Sequence, residues 1–144
     1  MDMTLKTRFK ELWATHVPGG ELPLVFFYSD RPAAAAVVKP ASHRECFLGQ
    51  LRRVRNGESL AFSIDSIGCP GGRRYLGFST ALMPNFEHFL SCGIPGVMEG
   101  ERYKKSPELV RQFMRIAFTF EAPAPYIVFK RWDIIDAGDE PLAA

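Results

Sequence analysis

The sequence predicts an α+β (or α/β) fold: a small mixed sheet of three or more short buried strands, covered by about four helices. Three observations carry that expectation. Stretches with the apolar period of a helix alternate with apolar runs short enough to be strands. The 144 residues suit one domain, and no linker divides residues 1–144. Hydrophobic residues make up 47% and charged residues 24%, a globular balance that excludes disorder, coiled coil and collagen.

Taken in order, Leu5, Phe9, Leu12 and Trp13 fall at i, i+4, i+7 and i+8, and His16 extends their stripe. Residues 2–16 therefore form an amphipathic helix, ended by Pro18-Gly19-Gly20. Leu22 to Tyr28 is a short apolar run between turn residues, a buried strand. Ser29 to Pro40 carries two prolines and four consecutive alanines and reads as a loop, in which the alanines have room for one helical turn. A second helix spans Arg44 to Asn56, with Phe47, Leu48, Leu51 and Val54 inward and Asn56-Gly57 as its C-cap pair. Leu60 to Ile64 is a second strand, and Pro84 to Leu90 a short helix. Ser106-Pro107-Glu108 supplies an N-cap hydroxyl, a proline at N1 and an acid in the first turn. Leu109, Val110, Phe113, Met114 and Ala117 form that helix's buried face. Tyr126 to Trp132 is a third strand, and residues 133–144 read as a flexible tail.

Several function classes drop out early. No apolar run approaches the ~20 residues a bilayer span needs. The N-terminus has an early acid, Asp2, and no apolar core of a secretory signal. With only three cysteines, an odd number, the expected setting is a reducing cytoplasm. A net charge of +2 with interspersed signs makes no case for nucleic-acid binding.

Chemistry concentrates at Gly68-Cys69-Pro70-Gly71-Gly72-Arg73-Arg74. Gly71 and Gly72 lack side-chain bulk, so their N–H groups can approach a ligand closely. A helix starting near Arg73 would set Cys69 ahead of its positive end beside two arginines, and both effects favour a thiolate. The same geometry suits a small anion. The competing reading is a tight glycine turn around a small buried cysteine. Neither GxxxxGK[ST] nor GxGxxG is present, and no GxSxG elbow offers a nucleophilic serine. Cys46, Cys69 and Cys92 with His16, His43 or His88 contain soft metal ligands, yet no paired CxxC knuckle. His16 reads better as the end of a helix, His43 and His88 as surface residues, and Asp65 and Glu45 as isolated acids. Cys92 follows a helix C-terminus, the unfavourable end for a thiolate. Arg102, Tyr103 and Lys104, in a charged loop, are candidate contacts for an anionic ligand, against the plainer reading of a solvated loop.

Leu22-Pro23-Leu24-Val25-Phe26-Phe27, Cys46, the Gly68-to-Gly72 turn with Tyr75-Leu76-Gly77-Phe78, and Glu99-Gly100-Glu101-Arg102-Tyr103-Lys104 occur in that order. In this the chain resembles domain of unknown function 169, a family of mostly prokaryotic cytoplasmic proteins, over roughly Trp13 to Trp132. The resemblance implies that Cys46 and Cys69 match a recurring pair. It supplies no activity and no support for Cys92. It also implies a short or truncated member, since relatives continue past Trp132 with further strands.

Three readings stay open. The first is a ligand- or cofactor-binding domain at Cys69-Pro70-Gly71-Gly72, with Cys46 opposite, taking an anion, a metal or an iron-sulfur type cofactor. The second is a thiol enzyme with Cys69 as nucleophile or redox centre and Cys46 as resolving thiol. The third is an assembly subunit without chemistry. Tyr126 to Trp132, lacking a following strand, further predicts a homo-oligomer through edge pairing.

Overall fold

The structure, a computed structural model, describes residues 2–39, 46–117 and 119–139. They group into two compact units, Met1–Ser79 with Glu121–Ala144, and Thr80–Phe120.

The first unit holds a four-stranded mixed sheet. Its strands are β1 (Leu24–Ser29), β2 (Ala36–Val37), β3 (Leu60–Phe62) and β4 (Tyr126–Arg131), in the order β1-β4-β3-β2. β4 runs antiparallel to β1 and to β3, with Phe129 opposite both Phe26 and Leu60, and β2 runs parallel to β3. The α+β expectation holds.

Side chains alternate across the sheet. On one side Leu60, Phe62, Ile127 and Phe129 pack with Ile67 and with Val54 of α2 (Phe47–Arg55). The Phe47, Phe62 and Phe129 rings lie 5.8–6.2 Å apart between centroids, two of the three pairs edge-on. The buried Phe62 and Phe129 each contribute on the order of 2–3 kcal/mol by area alone. α2 presents Phe47, Leu51 and Val54 to the sheet. Leu48, expected inward, is 61% exposed, because it falls one residue off that i, i+4, i+7 stripe. Gly57 takes a left-handed φ of 98° after the helix, and the Arg131 guanidinium donates to the terminal Arg55 carbonyl at 2.9 Å.

The other side carries a smaller cluster, Phe27, Ala61 and Val128, with Ala35 and Tyr126 packed against it. Lys130, two residues past Val128 on β4, shares that side. α1 (Met3–His16) has no buried residue. It is tied down by the Phe9 ring 4.2 Å from that of Trp132, by Lys6 Nζ donating to the Ile135 carbonyl (2.6 Å), and by Trp132 Nε1 donating to the Lys6 carbonyl (3.2 Å).

Several expectations need correction. β2 lies in the stretch expected to be loop, and the second strand ends at Phe62, followed by a 3-10 turn, Ile64–Ser66. The strand at Tyr126 is no edge: β4 is bonded on both sides, so the argument for a homo-oligomer through it loses its premise. Within residues 133–144, expected as a flexible tail, part of the described stretch has regular structure or is buried. Trp132–Ile134 forms a 3-10 turn, Ile135 is 1% exposed and Asp139 3%.

The second unit contains α4 (Phe86–Phe89) and α5 (Pro107–Ile116), following α3 (Pro70–Tyr75) of the first. Ser106 caps α5, its Oγ accepting from the Leu109 amide. Val110 faces inward, whereas Leu109 of the expected buried face is exposed. Glu101, Arg102 and Lys104 donate backbone N–H groups to the carbonyls of Phe89, Ser91 and Leu90. That pairing brings Gly100 against Gly93, so closely that a Cβ on either would overlap backbone atoms of the facing segment. No helix among the described residues is long and apolar enough to cross a membrane.

Candidate functional site

The glycine-cysteine turn is built as a cap. α3 starts at Pro70, earlier than expected, and Cys69 Sγ accepts the Gly72 amide N–H at 3.0 Å. The sulfur holds the place usually taken by a serine or aspartate oxygen. Gly72 is buried because a Cβ there would meet Ile67 Cγ2 at 2.9 Å, Cys69 Sγ at 3.0 Å and Phe47 Cδ1 at 3.1 Å. One point in space thus lies beside both the Cys69 sulfur and the first residue of α2. Cys46 is the N-cap residue of α2, exposed and without a side-chain capping bond, so Cys46 and Cys69 begin two helices that meet at Gly72. All three cysteines are free thiols.

Of the two arginines that follow the turn, Arg73 has its side chain engaged with the backbone. Arg73 Nε donates to the Ile67 carbonyl at 2.6 Å, which holds the turn to the end of the 3-10 segment. Gly68 is buried and Gly71 exposed. Arg102, Tyr103 and Lys104 belong to the second unit, not the first. Arg102 has a left-handed φ of 55°, and Lys104 Nζ lies over the Tyr103 and Phe113 rings, 4.9 and 5.3 Å from their centroids. A cation held over two aromatic rings is engaged in packing as well as charge.

Among the described residues no group of three or more His, Cys, Asp or Glu side chains is assembled to hold a metal ion. His43 and Glu45 lie outside the described residues. Cys92 is exposed, its sulfur 3.6 Å from the Gly93 carbonyl.

A different region of the first unit forms a cleft of about 840 Å³. Its walls come from the end of β1 (Phe27, Tyr28, Ser29), the segment Asp30 to Ala34, Pro123-Ala124, and the C-terminal segment at Asp136, Gly138 and Asp139. That size falls inside the range typical of small-molecule sites, roughly 300–1,000 Å³. Ala33 in its wall has φ 54°, a left-handed conformation that costs a non-glycine residue about 1 kcal/mol or more.

One wall is pinned by a buried ion pair. Lys130, 1% exposed, donates from Nζ to both Asp139 oxygens at 2.9 and 2.7 Å and to Asp136 Oδ2 at 3.3 Å. Asp139 Oδ2 also accepts the Asp136 amide at 2.7 Å. Lysine and aspartate side chains are buried this deeply only when paired, so the pair latches the C-terminal segment against β4. Sequence reading missed it by treating Tyr126 to Trp132 as simply apolar. The signal was present: a lone lysine in a buried strand demands an acid, and acids follow six and nine residues later.

The family model of DUF169, described as uncharacterised ArCR, matches residues 22–141. No curated protein and no solved structure matches the chain. The matched residues span all four strands, the Cys69 cap, the cleft and the Lys130 latch, and the chain belongs to the DUF169 family.

Proposed function

We propose that this protein is a small-molecule-binding domain whose ligand occupies the cleft between Asp30–Ala34 and Asp136–Asp139. The cleft's size is the observation that carries the reading: about 840 Å³ is room for a metabolite, and small alanine, glycine and proline residues leave it open. Its chemistry supports the same reading. Apolar walls meet a small number of charged groups, the usual division between burial and orientation in such sites.

The Cys69 turn has a supporting place in this account. Its sulfur is spent as a helix cap and its buried glycine as a packing contact, which fixes α3 under the sheet on the side of Ile67 and Phe47. No residue from Gly68 to Arg74 lines the cleft.

The test fills the cleft. A metabolite library is screened by thermal shift against the wild type and Ala34→Trp, a substitution at an exposed wall position that leaves the core untouched. Compounds that raise the wild-type Tm lose their effect in Ala34→Trp. If every stabilising compound acts equally on both proteins, the cleft is not the binding site.

A further inference from the structure

The charges of the cleft divide into spent and unspent groups. Asp139 has both oxygens committed to Lys130 and to the Asp136 amide. Lys130 in turn points its three donors at Asp139 and Asp136. The Asp136 carboxylate keeps a single 3.3 Å contact and is 71% exposed. Among the described residues, neither the Arg31 guanidinium nor the Asp30 carboxylate has a side-chain partner, although the two residues are adjacent in the chain. The Arg31 amide bonds to Ser29 Oγ, which shapes the bend and leaves the guanidinium available. The lining thus offers one planar cationic fork and two carboxylates, facing a space walled by Ala33, Ala34, Pro123 and Ala124.

A ligand of one sign satisfies only part of that set. An anion pairs with Arg31 and is repelled by Asp30 and Asp136; a cation meets the reverse. A molecule carrying both charges satisfies all three. We propose that the cleft takes a small zwitterion, a free amino acid or a short unblocked peptide, with its carboxylate on Arg31 and its ammonium on Asp30 and Asp136. Arginine matches the geometry of a carboxylate with two parallel N–H donors. A cleft of this volume exceeds what one small amino acid fills, which favours a peptide of a few residues over a single one. This inference rests on the cleft being the binding site.

The test uses the full chain, isotope-labelled for amide NMR, titrated with L-alanine, trialanine, N-acetyl-trialanine and trialanine amide. Trialanine shifts the amides of Phe27–Ala34 and Asp136–Asp139. Removing either terminal charge weakens binding by about tenfold or more, as expected for loss of a charge-assisted hydrogen bond. Arg31→Gln abolishes the penalty for amidating the C-terminus, and Asp30→Asn with Asp136→Asn abolishes the penalty for acetylating the N-terminus. Stronger binding of L-alanine than of trialanine assigns the site to free amino acids. If blocked and unblocked peptides shift the cleft equally, the zwitterion assignment is wrong while the cleft stands. The assignment is equally wrong if no zwitterion binds a cleft that accepts other compounds in an Ala34→Trp-sensitive way. If no compound depends on an open cleft, both readings fall.

Discussion

Gly71 and Gly72 are neighbours of the same type, and their surroundings assign them opposite costs. Alanine is favoured over glycine inside a helix by up to about 1 kcal/mol, and both residues lie in α3. A Cβ at Gly71 meets nothing within 4 Å. At Gly72 it presses on Ile67, Cys69 and Phe47 side chains at 2.9–3.1 Å, and such overpacking costs about 1–3 kcal/mol. Gly71→Ala is therefore expected to stabilise the protein by roughly 0.5–1 kcal/mol, whereas Gly72→Ala destabilises it by about 1–2 kcal/mol. Urea denaturation of the two variants reads the difference directly. Equal effects would mean that α2 and α3 do not meet at Gly72 as tightly as the structure places them. The cysteine between them and the core acts at the same scale. Cys69 was legible in the sequence as the residue before a helix, but its partner was not: the sulfur answers an amide three residues on, which composition does not reveal.

At the scale of elements, the Lys130 latch joins β4 to the segment that closes the cleft. Removing one member of a buried ion pair leaves the other charge uncompensated, at a cost of about 3–5 kcal/mol. Asp139→Asn is expected to lose stability of that order, because the buried Lys130 charge then faces only the exposed Asp136 carboxylate, 3.3 Å away. The double variant Lys130→Met with Asp139→Asn recovers most of the loss. Methionine is at home beside Val128, and the asparagine oxygen still accepts the Asp136 amide. Guanidinium denaturation of the single and double variants forms the check, and a double variant as unstable as Asp139→Asn would show that packing rather than charge holds the segment. β4 itself was readable from its apolar run. Its central position was not, since an apolar strand near the end of the chain looks the same whether its partners precede it or are absent. Here both partners, β1 and β3, precede it.

Across the whole molecule, fold class followed from periodicity because most helices and strands carry undiluted patterns; β2 escaped because Ala36-Val37 sits in an alanine run with no strand signature. The cleft escaped for a different reason. Its walls come from residues 27–34, 123–124 and 136–139, and nothing local marks segments that meet only in the folded chain. The distributed ionisable groups set a property that belongs to no single element, the dependence of stability on pH. Asp133 titrates below the ordinary carboxylate range because the Arg131 guanidinium hydrogen-bonds it, at 2.7 and 2.9 Å. Glu21 is lowered by its bond from Arg55, Glu58 by Arg53, and Glu108 by its own backbone amide and then the Ser106 hydroxyl. A carboxylate lowered on folding contributes stability above its unfolded pKa of about 4, and that contribution disappears as pH falls through the lowered value. Tyr28 shifts the other way. Burial raises its phenol above 10, so its contribution is complete below about pH 10 and declines as pH rises beyond it. The expected profile is a plateau from about pH 5 to 9, with a gentle acid limb, since exposed pairs contribute little individually. Asp133→Asn should lower the urea midpoint on the plateau and converge with wild type as pH falls through the lowered native value, where the native carboxylate is protonated as well. A gap that persists unchanged into acid would assign the loss to packing around the 3-10 turn at Trp132 rather than to the Asp133–Arg131 charge pair.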